Sequence, residues 1–386
     1  MPRPSDKRTA DAIVVGAGVI GLACAWRAAQ RGLEVMVLER SQPAAGASGV
    51  AAGMLAPVGE LTFGERRLLD MTLASADAYP GFAAELESAS GRSTGYERCG
   101  ALHVALDRDE AVELRRRHEL QVTQGLDAEW LTPRACRRLE PGLAPSFAGG
   151  VHAPGEAAVD PRALAAALLT ALEEEGVEVR SGSAPREALF QDGRIGGVRT
   201  EDGEELRAAT VVLASGCWSG ISEWLPEGAR PPVRPVKGQI LQLRGRPGEP
   251  VCERIVASER VYIVPRADGR LVVGATVEER GFDTTVTAGG VHELLREAYR
   301  LLPDVAELEL VEASAGLRPG TPDNLPLIGH GELDGLVIAT GHYRNGVLLA
   351  PLTAEAVAEL LAGGEVSTPA RAATPGRFST PAGVSR

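Results

Sequence analysis

Gly16-Ala17-Gly18-Val19-Ile20-Gly21 have the residue types and spacing to hold a dinucleotide. Gly16 permits a tight turn, Gly18 lets the backbone approach a pyrophosphate, and Gly21 allows close helix–strand packing. The following helix, opening at Val19 and Ile20, offers free N–H groups and a partial positive charge to that pyrophosphate. Glu39 follows Gly16 by 23 residues, near the spacing at which an acid meets ribose hydroxyls. In a chain with 46 glycines the six-residue pattern alone is weak. It becomes specific because apolar runs, Ala12-Ile13-Val14-Val15 and Val35-Met36-Val37-Leu38, flank it as strands should.

A second candidate is Arg318, placed before Pro319-Gly320 where a turn is expected to hold the side chain rigidly. A guanidinium fork suits a small-molecule carboxylate by bidentate hydrogen bonding. The alternative is a solvent-facing or salt-bridged arginine. Tyr262 lies in an expected strand with Val261 and Ile263 facing the other way; a half-buried core tyrosine is the alternative. The small-residue run Gly46–Met54, with Ala47, Ser48, Ala52 and Gly53, suits a backbone lying against a flat, bulky ligand or a plain loop. Lys237 is one of only two lysines, so a compact ammonium is expected to do something there that a guanidinium cannot.

Other chemistries fall away. His292-Glu293 opens like a zinc-protease helix, but Arg296 stands where the second histidine is required. Gly216-Cys217-Trp218-Ser219-Gly220 misplaces its serine for a nucleophile elbow. No histidines cluster as metal ligands. Five scattered cysteines without a CxxC pair argue against disulfides or zinc and fit a reducing cytoplasm. Acidic residues outnumber basic ones, 52 to 40, which disfavours nucleic acid and anionic membranes. Arg115-Arg116-Arg117 reads as a solvated helix face. Residues 3–26 superficially resemble a signal peptide, but Asp11 interrupts the approach and the glycines already have a use. No run approaches a membrane span.

At 386 residues two or three domains are expected. Helical patterns cover residues 19–31, 65–89, 109–121, 160–175 and 291–302, with a last helix reaching about 361. Asp160-Pro161 gives the fourth a cap and a first-turn proline. Strands are expected at 101–106, 177–179, 210–214 and 336–339, with a hairpin about Asp202-Gly203. Alternating runs over 239–274 predict an antiparallel sheet. No internal repeat is found. The fold class is therefore α/β: a Rossmann-type domain from residues 11–86, 152–232 and 313–365, with an inserted, mostly antiparallel β-sheet substrate domain from 87–151 and 233–312. Residues 1–10 and 366–386 are expected to be disordered.

Combined, the motifs GAGVIG (16–21), AAGMLAP (51–57), ASGCWS (214–219), PVKGQ (235–239), YIVPR (262–266), GATVE (274–278), AGLRPGTPDNLPLIG (315–329) and GHYRNGVLLAP (341–351) are telling. The chain resembles the flavin-dependent amine and D-amino-acid oxidase family over residues 11–361, and the last two motifs resemble its glycine-oxidising, thiamine-thiazole branch. The resemblance implies FAD, held non-covalently because no cysteine follows Cys252. It implies that Arg318 and Tyr262 bind a substrate carboxylate, with Arg344 and Met54 bounding the substrate. Arg40, Gly216 and residues His342, Tyr343, Arg344, Asn345, Gly346, Val347 and Leu348 would join the N-terminal glycines, Glu39 and the 47–54 run around FAD. A helix N-terminus after GHYRNG would face the flavin pyrimidine. Arg344 and Met54 have structural alternatives. The implied reaction is oxidative deamination of glycine and other small amines by hydride transfer and O2, with no protein acid or base demanded. A cytoplasmic homo-oligomer is implied, relatives being commonly tetrameric. The rivals are a D-amino-acid dehydrogenase with another electron acceptor and a non-catalytic FAD-binding protein.

Overall fold

The computed structural model describes residues 9–246 and 248–378. Five strands lie parallel in the order Glu178–Ser181, Val35–Glu39, Thr9–Val15, Glu205–Leu213, Leu336–Thr340. Leu327–His330 adds an antiparallel edge. The central stretches of the inner strands, such as Ala12–Val15 and Val35–Leu38, are apolar throughout because both faces of the sheet are covered. Ala12, Val14, Val35 and Val37 face the alanine-rich helices Val19–Gln30, Pro161–Glu174 and Ala350–Leu361. Ile13, Val15, Met36 and Leu38 face a meander, Pro185–Gln191 and Arg194–Thr200, that folds over the opposite side. Small side chains such as Ala23, Ala167 and Ala354 let three helices share one face of the sheet.

The second sheet has eight strands, in the order Glu309–Gly320, Arg234–Arg244, Arg270–Gly274, Tyr262–Pro265, Ile255–Ala257, Ala101–Ala105, Gly149–Ala153 and Glu129–Leu131. Every pairing is antiparallel except that of Ile255–Ala257 with Ala101–Ala105. One face packs on the helix Ala288–Leu301 through Leu241, Ile263, Val273, Leu294 and Ala298. The other, with Ile240, Tyr262 and Val264, turns toward Val50, Ala52 and Met54 of the first domain. Arg162 ties the two units: its guanidinium is bidentate on Glu312 at 2.7 and 2.9 Å, and its Nε reaches the Gly49 carbonyl at 2.8 Å.

Several expectations are corrected. Pro319-Gly320 does not turn the chain; both residues complete the twelve-residue strand Glu309–Gly320, in register with Pro235 and Arg234. That strand belongs wholly to the second sheet, so a boundary at 312/313 cuts through it. The meander has a second turn at Asp192-Gly193, and the strand expected at 210–214 runs from Glu205 to Leu213. Residues 366–378 are not a loose tail: two 3-10 turns bury Ala370 and Ala373, and Arg377 clamps Asp323 at 2.8 and 2.9 Å. The expectation for residues 1–8 and 379–386 lies outside the described residues.

Candidate active site

A cavity of about 820 Å³ lies between the two sheets. Its first-domain side is the glycine-rich turn. Gly16 has φ 111°, and a Cβ there would stand 2.5 Å from the Ala214 carbonyl oxygen, so only glycine fits. Val19 N–H donates to Ser48 Oγ at 2.9 Å, and Gly18 caps the helix without a side-chain bond. The positive end of the helix dipole is thereby left facing the cavity. Glu39 Oε2 accepts the Ala17 N–H and Oε1 the Ser41 N–H, each at 2.9 Å. Its carboxylate is fixed against the turn, with lone pairs remaining for ribose hydroxyls. Arg40 lies 3.7 Å over the Trp218 ring.

The other side is built by the second sheet. Arg318 is half-buried, and its Nη1 donates to the carbonyls of Lys237 (3.3 Å) and Thr276 (3.2 Å). It makes no salt bridge among the described residues. Tyr262 lies nearby; burial raises its phenol above the ordinary range, and the Arg318 charge opposes that rise. Two glycines make the room. A Cβ on Gly238 would stand 2.5 Å from Arg318 Cζ, and one on Gly274 2.5 Å from Tyr262 Cζ. The glycines of PVKGQ and GATVE are therefore hollows for the two candidate site side chains.

Met54, on the short strand Met54–Leu55, and Val50 close the cavity from the first domain. Gly53, at φ 70°, allows the chain to pass beneath Val159 and Pro161. Among the remaining expected residues, Ile20, Ala47, Ser48, Ala52, Gly216, His342, Tyr343, Arg344, Gly346 and Val347 line the cavity. Three do not. Gly21 packs its helix onto the Gly16 carbonyl, where any Cβ would collide. Asn345 is buried in the turn after Tyr343 and accepts the Leu349 N–H at 2.8 Å through its backbone carbonyl. Leu348 is in the helical core, its carbonyl accepting Ser75 Oγ at 2.6 Å. The last helix begins only at Ala350, so turns rather than its first helical residues face the cavity.

His342 is buried, its Nε2 2.9 Å from Thr353 Oγ1, and burial pulls its pKa down to about 3. It is neutral at neutral pH. Arg344 reaches toward Glu65 at 3.9 Å. Lys237 does not line the cavity; its Nζ lies 3.2 Å from Asp283 Oδ2 and 3.6 Å from Glu278 Oε2, holding the loop after Gly274. Sequence reasoning missed Glu60 and Trp218, which also line the cavity. Trp218 lies within ASGCWS; Glu60, three residues past AAGMLAP, carries no periodic signal.

These glycines, fixed acid and open helix terminus fit the dinucleotide of FAD. The chain belongs to the FAD dependent oxidoreductase (DAO) family, matched over residues 11–360. It is 39% identical over 356 residues to the bifunctional protein ThiO/ThiG of Trichormus variabilis, covering 92% of this chain and 53% of the relative. It thus spans about half the length of the first curated relatives it matches. Against the glycine oxidase of Geobacillus kaustophilus it is 36% identical, covering 91% of this chain and 92% of the relative. A crystal structure of glycine oxidase from Geobacillus kaustophilus superposes with TM-score 0.90 at 34% identity, over 97% of this chain and all of that one.

Proposed function

We propose that this chain oxidises glycine and other small amines, including sarcosine and small D-amino acids, to imino acids. The observation that carries the reading is Arg318, a cation with no salt bridge among the described residues, beside a dinucleotide cavity. A substrate carboxylate supplies the missing anion, and the backbone carbonyls of Lys237 and Thr276 hold the guanidinium in place to receive it. Tyr262 donates its hydroxyl proton to the same carboxylate; its raised pKa keeps that proton on at neutral pH. Met54 and Val50 exclude water above the substrate. His342, being neutral, adds no charge near the ring site. FAD, when bound, would supply the hydride acceptor and the reactivity toward O2 that yields hydrogen peroxide. The imino acid hydrolyses to glyoxylate, or the corresponding keto acid, and ammonia. Before hydrolysis it serves thiamine thiazole synthesis.

FAD is non-covalent in this reading: Cys217 lines the cavity, but burial pushes its thiol up to about 12. The chain acts in the cytoplasm as a homo-oligomer, consistent with five free cysteines. Among the described residues no helix is long and apolar enough to cross a membrane. The test is anaerobic bleaching of the purified yellow protein by glycine, sarcosine and D-alanine, followed by peroxide detection in air. Bleaching without peroxide would indicate a dehydrogenase. A colourless protein that cannot be reconstituted with FAD refutes the reading, and light scattering checks the assembly.

A further inference from the structure

The cavity is lined by four acids, Glu39, Glu60, Glu201 and Glu223. Among them Glu60 lies within the fields of Arg318 and Arg344 and interacts in turn with Tyr262. Its carboxylate makes no hydrogen bond or salt bridge among the described residues. The turn that carries it is held firmly. Glu60 N–H donates to the Ala56 carbonyl at 3.1 Å, Gln121 Nε2 to the Val58 carbonyl at 2.9 Å, and Gly59 N–H to Glu156 Oε1. Gly59 rests directly on His103, leaving no space for a Cβ. Beneath the turn, Glu156 Oε2 and His103 Nε2 are buried 3.8 Å apart, each without a hydrogen-bond partner among the described residues.

We propose that Glu60 receives the proton that a zwitterionic substrate's ammonium must lose before its α-hydride can leave. The inference rests on the amine-oxidase reading above. An amino acid brings both charges at neutral pH. Arg318 answers the carboxylate, and Glu60, a cavity-lining acid within the field of Arg318 and without a hydrogen bond or ion pair among the described residues, answers the ammonium. In the transfer one ammonium N–H bond breaks, its electron pair stays on nitrogen, and an O–H bond forms on Glu60. The neutral amine then has the lone pair that drives hydride departure.

The charged and titratable groups facing Glu60 are Arg344 and Arg318, which favour its ionised form, Glu156, which disfavours it, His103 and Tyr262. Burial outweighs the arginines and raises its pKa, which lessens the mismatch with an amine donor. The buried Glu156–His103 pair is a positioning element that fixes the turn and contributes to this balance.

The test is stopped-flow reduction of the FAD-loaded protein by glycine, anaerobically, from neutral to strongly alkaline pH, for wild type, Glu60→Gln and Glu60→Asp. Glu60→Gln is expected to slow reduction by about 10²-fold at neutral pH. It should recover toward the wild-type rate at alkaline pH, where glycine arrives as the neutral amine. Glu60→Asp should keep part of the neutral-pH rate. Acetate, which has the carboxylate but no amine, should bind Glu60→Gln at least as tightly as wild type by calorimetry. Matching rates and pH profiles for wild type and Glu60→Gln overturn the proposal while leaving the oxidase reading intact, and so does a loss equal at every pH. A wild-type protein that no small amine bleaches overturns both.

Discussion

Replacing Gly238 by alanine tests the site more sharply than removing a charged group. Gly238 lies mid-strand beneath the Arg318 guanidinium, and the new Cβ would stand 2.5 Å from Cζ. Ordinary carbon contacts need ~3.5 Å, so the guanidinium must retreat by roughly 1 Å. The obstructed atoms are the far end of a flexible side chain, so the fold can yield there. We expect stability to change by less than about 1 kcal/mol. Binding geometry cannot yield in the same way, because Nη1 would leave the Lys237 and Thr276 carbonyls that orient it. A displacement of about 1 Å in a positioning group costs on the order of 10²-fold, or about 2.7 kcal/mol in kcat/KM. The assays are oxygen consumption with glycine and acetate binding by calorimetry, beside urea unfolding of the same preparations. Unchanged kcat/KM and acetate affinity, with the fold intact, would remove Arg318 from the substrate site.

Arg318→Ala should lose about 2–5 kcal/mol of substrate affinity, as for truncating one partner of a buried charge pair; an unchanged apparent affinity for glycine contradicts this. Lys237→Arg forces a larger head group into a slot that leaves lysine 1% exposed. The expected cost is about 1–3 kcal/mol in urea unfolding, with turnover and oxygen reactivity unchanged, and altered oxygen kinetics would point to a chemical role. His342 has a folded pKa depressed to about 3 against about 6.5 when unfolded. Below about pH 6.5 the unfolded chain binds the extra proton, so this stabilisation is complete above that pH and is lost as pH falls toward 3. Urea midpoints of the apoprotein at neutral and mildly acidic pH should therefore converge in His342→Asn relative to wild type, and equal slopes would refute the assignment.

The dinucleotide half of the site was legible because its chemistry is local. Gly16, Gly18, Glu39 and the flanking strands act within one βαβ segment, so linear spacing carries the geometry. Asp160-Pro161 likewise announces its helix: Asp160 Oδ1 caps the Arg162 and Ala163 N–H groups at 2.9 and 3.3 Å. Residue types also marked Arg318 and Tyr262, although Arg318 is held by neighbouring strands rather than by a turn. What faces what was decided by tertiary pairing. Gly238 makes room for Arg318, and Gly274 for Tyr262, only because separate strands meet in register. Glu60 joins them from the other domain, and its chain neighbours give no sign of it. Asn345 and Leu348 sit in the right motif but are turned inward, since a non-helical turn precedes Ala350 and rotates them away from the cavity. A linear pattern fixes the groups whose partners lie within one turn of chain. The groups that meet across some 12 to 260 residues are set by strand pairing and the packing of two sheets, where a shift of one residue would reverse every side chain.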